Sequence, residues 1–221
     1  MLITFEGVDG SGKSTQAQLL VEHLRAEGYA AMLVREPGGT DLSERIRALL
    51  LDPALEIDPV AELLLFSAAR AQLVTEKIRP ALDAGQVVVC DRFYDSTTAY
   101  QGAGRGVEDP AWLRRFHRKV TGGLVPDRTY LVEVPPAVAR ARREAANGAS
   151  TPDRMEAADL DFYRRVAAAY AALAEQEPER FVRLDGEQSI EALHAQITAD
   201  WEALAARHAG TASPNNGSPG A

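Results

Sequence analysis

The chain has 221 residues, enough for one sizeable hydrophobic core or at most two small domains. Its formal net charge of -8 gives no global electrostatic case for binding nucleic acid, so any anion it holds must be gripped locally. A single cysteine, Cys90, can make no internal disulfide, and no apolar run approaches the roughly 18 residues of a membrane span; a cytoplasmic protein without membrane contact is expected.

The first predicted element is the strand ITFE, residues 3–6, and GVDGSGKST follows it at residues 7–15. Gly7, four residues, then Gly12, Lys13 and Ser14 fit the phosphate-binding pattern G-x-x-x-x-G-K-[ST]. Glycines let successive backbone N–H groups turn inward around an anion. The next helix adds its free N-terminal donors, and Lys13 adds a movable charge. Gly7, Val8, Asp9, Gly10, Ser11, Gly12, Lys13, Ser14 and Thr15 are therefore the candidate nucleotide-phosphate loop, with the Ser14 hydroxyl placed for a magnesium ion. Ala17, Leu20, Val21 and Leu24 then recur at helical spacing, and Gly28 stops the helix. A glycine-rich turn that only caps a helix is the plain alternative, and the strand–loop–helix order counts against it.

Further strands are expected at AMLVR (31–35), QVVVC (86–90), TYLVEV (129–134) and RFVRLD (180–185). Helices are expected near 41–51, 59–82, 109–120, 136–146, 157–176 and 189–207. Most of the strands carry three or more consecutive apolar residues, which predicts burial on both faces: an α/β domain over residues 1–207, with a parallel five-stranded sheet flanked by helices. Residues 208–221 are rich in small, turn-forming residues that cannot bury a core, and read as a disordered tail.

In an open α/β sheet, ligands gather beyond the carboxyl ends of the strands. That rule selects Arg35-Glu36-Pro37 after the second strand and Asp91-Arg92-Phe93-Tyr94-Asp95-Ser96 after the third. Asp91 ends an apolar strand, where a carboxylate reaching magnesium through water belongs, though capping the next turn is an equal reading. Arg92 suits a phosphate, with a surface ion pair as the plain alternative. Phe66 and Arg70 are four apart on a predicted helix and share a face, so a ring and a guanidinium could together hold a nucleobase. For Phe66 alone, core packing is the ordinary fate.

The set FEGVDGSGKST, REPGGT, FSAAR, DRFYDSTTAYQG and DRME, in this order over nearly all of residues 1–207, resembles the thymidylate kinases. These are nucleoside-monophosphate kinases that convert dTMP to dTDP with ATP and magnesium. The resemblance implies a three-layer P-loop kinase fold with a short mobile lid at about 142–156. It implies that Phe66 stacks on thymine, that Arg70 donates to the base, and that Arg92 and Arg47 contact the dTMP phosphate. Thr97, Tyr100 and Gln101 would line base and sugar, with Ser96 beside them and the tyrosine ring occupying the place of a ribose 2′-hydroxyl. Glu36 and Pro37 would close the nucleoside pocket, Glu36 being also a candidate magnesium contact. Asp9 would accept from the 3′-hydroxyl.

The resemblance further implies that Lys13, Arg92 and magnesium neutralise the transferring group, together with cations from the lid. Gly10 stands where some relatives carry an arginine, which places the chain with the bacterial-like group; Arg154 and Arg142 are the lid candidates. The plain reading of Arg140, Arg142 and Arg143 is a solvated helical face. A homodimer packed through helices is also implied. Two rival readings are a deoxynucleoside kinase with Glu36 as base and a non-catalytic nucleotide switch, although no guanine-reading N-K-x-D is present.

Overall fold

The computed structural model of the protein describes residues 1–107, 109–147, 153–156 and 158–211. Five strands, β1 (Leu2–Glu6), β2 (Ala31–Arg35), β3 (Val87–Asp91), β4 (Arg128–Glu133) and β5 (Phe181–Asp185), form one sheet in the order β2-β3-β1-β4-β5. Every pairing is parallel. The apolar runs explain this, because the central strands are covered on both faces. On one side Ile3, Phe5, Val87 and Val89 pack with Leu20, Val21 and Leu24 of α1 (Lys13–Ala26) and with Leu193, Ile197 and Trp201 of α9 (Ile190–Thr211). On the other, Leu2, Val88 and Cys90 meet Val74, Ile78 and Phe93. Cys90 is thus a core residue.

Between these elements lie α2 (Asp41–Leu51), α3 (Pro59–Leu73), α4 (Arg79–Asp83), α5 (Tyr94–Thr97), α6 (Pro110–Thr121), α7 (Pro136–Asn147) and α8 (Leu160–Gln176). The single helix expected over 59–82 is interrupted. Val74–Ile78 forms a π turn between α3 and α4. Pro80 follows it, and a proline lacks the N–H that would bond back and crowds the carbonyl four residues earlier; a widened turn accommodates both. Residues 94–104, given no helix from sequence, are helical throughout, as α5 followed by a π turn over Thr98–Gly104. The helix expected from 157 begins at Leu160, with the Asp159 carboxylate accepting from the Phe162 N–H as its cap. At the far end α9 continues to Thr211, beyond the expected start of the tail; residues 212–221 lie outside the described residues.

Strand register levels the rim on which a site is built. Phe5 and Arg35 both pair with Asp91, so the loops leaving β1, β2 and β3 emerge side by side. No described helix is long and apolar enough to cross a membrane.

Candidate active site

The loop after β1 is shaped by contacts that only glycine permits. At Gly10, φ is +85° and an added Cβ would lie 2.4 Å from the Ala139 carbonyl oxygen of α7. Helix α7 occupies the space that a side chain here would need. Gly12, in the left-handed region, precedes α1, whose N-terminus no side chain caps, so its first amides keep their donors for an anion.

Beyond this helix start opens a cavity of about 410 Å³. Of the predicted residues, Asp9, Lys13, Ser14, Glu36, Pro37, Arg47, Phe66, Asp91, Arg92, Tyr100 and Gln101 line it. Phe66 therefore faces the cavity while still touching the core beside α2 and α8.

Arg70 is 2% exposed and sits behind the cavity wall. Its Nε donates to Glu36 Oε2 at 2.7 Å, Nη1 to Thr97 Oγ1 at 2.9 Å and Nη2 to the Phe93 carbonyl at 3.1 Å. It ties the ends of β2 and β3 to α3. Burial pushes the Glu36 carboxyl up in pKa, opposed by Arg70. Arg47 donates to the Pro37 carbonyl at 3.0 Å, securing the segment that follows Glu36.

At the centre, Arg92 Nη2 pairs with Asp9 Oδ1 at 2.7 Å, and the Tyr100 hydroxyl donates to Asp9 Oδ2 at 2.9 Å. Lys13 Nζ lies 3.5 Å from the same carboxylate. Burial raises the Asp9 pKa, but Arg92 and Lys13 outweigh it and hold the group well below the usual carboxylate range. For Lys13, burial and then the Arg92 charge lower the pKa, while Asp9 works the other way. Arg92 holds φ of 72°, a rare conformation for a side-chain-bearing residue. Its backbone is pinned there: its own N–H bonds Phe5 O at 3.0 Å, and the next N–H, of Phe93, donates to Glu6 Oε1 at 2.7 Å. Strain of this kind, about 1–3 kcal/mol, persists only where surroundings impose it.

The lid arginines are placed differently from expectation. Arg142 donates to the Gly186 carbonyl at 2.9 Å, and Arg154 pairs with buried Glu62 at 2.6 Å while bonding the Leu50 carbonyl. Neither lines the cavity. Arg143, one residue on, reaches the phosphate loop: its Nη1 donates to the Asp9 carbonyl at 3.1 Å and its guanidinium lies over the Tyr163 ring. Residues 148–152 of the expected lid lie outside the described residues.

Two carboxylate oxygens at the rim, Asp91 Oδ1 and Glu36 Oε1, are buried without a hydrogen-bond donor. Acceptors left without donors, on residues that line the same cavity as Ser14, fit a hard divalent cation. Among the described residues no cluster of three potential ligands exists, so such a cation would complete its shell with ligand oxygens and water.

The structure adds residues that sequence reasoning passed over. Leu51, Asp153, Met155 and Glu156, the last three from the DRME turn, line the cavity beside the rim residue Arg35. Glu6 is fully buried and accepts from Phe93 N–H, Ser96 Oγ at 2.6 Å and Tyr170 OH at 2.8 Å. Arg92 Nη1 donates to that same serine and tyrosine, at 2.9 and 3.1 Å, so Glu6 braces it from behind. An acid ending an apolar strand, the signal that singled out Asp91, marks Glu6 equally. Ser96 and Thr97 thus support the cavity from its second layer, through Glu6 and Arg70.

The chain matches one family of known proteins along most of its length. The family model described as thymidylate kinase matches residues 5–197. The chain is 49% identical over 207 residues to the thymidylate kinase of Deinococcus radiodurans, covering 94% of this chain and 97% of that one. It is 52% identical over 183 residues to that of Thermomicrobium roseum, covering 83% and 85%. The crystal structure of thymidylate kinase from Ehrlichia chaffeensis superposes with a TM-score of 0.73 at 36% identity, over 91% of this chain and 98% of that one. With a match across most of its length and the phosphate loop opening onto a ring-lined cavity, the chain belongs to the thymidylate kinase family.

Proposed function

We propose that this protein transfers the γ-phosphoryl group of ATP to dTMP, giving dTDP for dTTP synthesis. One observation carries the reading at the level of the site: a single cavity is lined by Lys13 and Ser14 from the phosphate loop and α1, by the Phe66 ring and Gln101, and by the guanidinium-bearing Arg92 and Arg47. A nucleobase stacks on Phe66, its phosphate lies among the arginines, and the donor's phosphates lie on the α1 amides and Lys13.

The acceptor oxygen of a monophosphate is already ionised at neutral pH, so the transfer needs no strong general base. Alignment and neutralisation of the charge spread over the transferring group are what remain. Lys13 carries positive charge at the donor side and Arg92 at the acceptor side. Asp9 holds both, which fixes their separation and aims the sugar. Ser14 directly, and Asp91 through water, would hold magnesium, with Glu36 as a further oxygen; when bound, the ion supplies additional neutralisation between the phosphates. Of the arginines in the expected lid, Arg143 bonds the phosphate loop and Arg154 is held on Glu62. The ring of Tyr100 lines the sugar and leaves no room for a 2′-hydroxyl.

A homodimer is part of this reading. Leu42 and Leu49 of α2 and Val60 and Leu64 of α3 are each 47–52% exposed, on two helices that pack together. A second copy is the occupant that suits an apolar face shared by two adjacent helices. Leu64→Glu should shift the species in light scattering from dimer to monomer.

The deciding experiment is ADP release measured with dTMP, dUMP, dCMP, dGMP and thymidine as acceptors. Turnover with dTMP above the others is expected; ADP release with thymidine and none with dTMP would overturn the reading.

A further inference from the structure

Glu62 is fully buried and lies outside the cavity, and the chemistry above uses it only as the partner of Arg154. Yet it joins three segments: α3, the π turn over Thr98–Gly104 with the Arg105 that follows it, and the turn at Arg154. Its Oε1 accepts from Gln101 Nε2 at 2.7 Å and from Arg105 Nε at 3.3 Å, and its Oε2 accepts from Arg154 Nη1 at 2.6 Å.

A carboxylate only accepts hydrogen bonds, whereas a primary amide has a donating and an accepting end. The contact therefore fixes which way round the Gln101 amide sits: its NH₂ must face Glu62. Its Oε1 accepts no hydrogen bond among the described residues, and Gln101, 1% exposed, lines the cavity that Phe66 also lines. A carbonyl oxygen is thus the group offered to the ligand.

Pyrimidine edges differ at this point. Thymine and uracil carry an N–H at ring position 3, between two carbonyls. Cytosine carries a bare nitrogen acceptor there, beside an amino group. An acceptor held toward position 3 pairs with the first kind and faces lone pair to lone pair with the second.

We propose that Glu62 is a positioning residue for base selectivity: by locking the polarity of the Gln101 amide it admits an N3–H pyrimidine and rejects cytosine, without touching either. The inference rests on the proposed placement of the base beside Phe66 and Gln101. A free glutamine would reject nothing, since its amide could rotate to meet cytosine with its NH₂. An acceptor-only partner, held in ion pairs with Arg105 and Arg154, removes that choice.

The test compares kcat/KM for dTMP and dCMP in the full chain, using the inhibition constant of dCMP where its turnover is undetectable. In Glu62→Gln the partner of Gln101 can donate as well as accept, so the amide is released to flip. The dTMP/dCMP preference should fall by about tenfold or more, mainly through KM. Glu62→Asp, which keeps an acceptor-only partner, should restore most of the preference. Arg105→Met removes a neighbour of Glu62 but not the amide lock, and should preserve it.

A purely structural Glu62 predicts instead that both substrates lose the same factor, and an unchanged ratio in Glu62→Gln overturns the proposal. Should that variant not fold, Gln101→Leu replaces it: deleting the carbonyl must lower the preference, and an unchanged preference also overturns the proposal. Phe66→Ala separates the two readings. If it leaves the KM for dTMP untouched, the base placement itself is wrong; if it raises KM while the Glu62→Gln ratio stays flat, only the polarity lock fails.

Discussion

Asp9 and Arg92, 83 positions apart in sequence, meet at 2.7 Å across the mouth of the phosphate loop, and Tyr100 bonds to both. An acid in an anion-binding loop is thereby explained: it organises two cations, Arg92 and Lys13, that would otherwise repel one another at short range. Asp9→Asn keeps the shape and removes the charge that aligns them. It should lower kcat with dTMP by about 100-fold, because misplacement rather than lost chemistry is the penalty. ATP binding, which rests on the loop amides, should change by less than about threefold in equilibrium titration. Equal loss of both would show that Asp9 only holds the loop together.

Glu6 behaves oppositely with pH. Burial, and then the nearby Asp95 charge, raise its carboxyl from the ordinary 4.5 to about 7, against the pull of Arg92 and the hydrogen bonds from Ser96 and Tyr170. Between these values the native state binds a proton that the unfolded chain has lost. Stability contributed by protonated Glu6 is therefore present below 4.5 and is lost as pH rises to about 7, by on the order of 3 kcal/mol. Glu6→Gln should flatten this slope, so the denaturation free energy of the variant relative to the parent should climb through the same window. Parallel curves would mean that Glu6 does not titrate there. Asp9 has the other sign: its contribution is present above its ordinary 3.8 and is lost as pH falls below it.

The sheet was legible in the sequence because most of its strands are short apolar runs and the loop after the first is a strict spacing pattern. The segment TAYQGAG was not, because its small and polar residues carry no helical period. Its π turn is imposed from outside: Tyr100 packs edge-on to Phe162, Tyr163 and Tyr170, and a Cβ at Gly104 would meet the Phe162 ring at 2.6 Å. The arginines fail for a different reason. Arg142 and Arg143 are adjacent in sequence but about 100° apart around α7, so one reaches Gly186 and the other Asp9, and only the packed helix sets that phase. Partners such as Glu62 for Arg154, 92 positions away, leave no local trace.

Gly10 tests the fit between loop and lid helix. Gly10→Ala places a methyl 2.4 Å from the Ala139 carbonyl, so α7 must withdraw and Arg143 must leave the Asp9 carbonyl. Gly28→Ala is the matched control, with φ of +86° and nothing near the added atom. Both lose the cost of a left-handed alanine, about 1–2 kcal/mol, but only Gly10→Ala should also raise the KM for ATP and lower kcat. Similar kinetics in the two variants would remove α7 from the loop's function.

The buried pair Asp95–Arg180 carries the strap on which Arg92, Ser96 and Thr97 ride. Arg180 Nη1 lies 2.6 Å from Asp95 Oδ2 and 2.7 Å from Thr129 Oγ1, and Nη2 lies 3.1 Å from Asp95 Oδ1, so α5 is clamped to β4. Burial raises the Asp95 pKa and Arg180 opposes it. Removing one partner leaves an uncompensated buried charge, which costs more than the pair itself contributes. Asp95→Asn should lower stability by about 3 kcal/mol, whereas Asp95→Asn with Arg180→Met should recover most of the loss. If the clamp positions the strap, the single variant should also raise the KM for dTMP, since Arg92 and the Thr97–Arg70 contact shift with α5. A stability loss with unaltered KM would confine the pair to holding the fold.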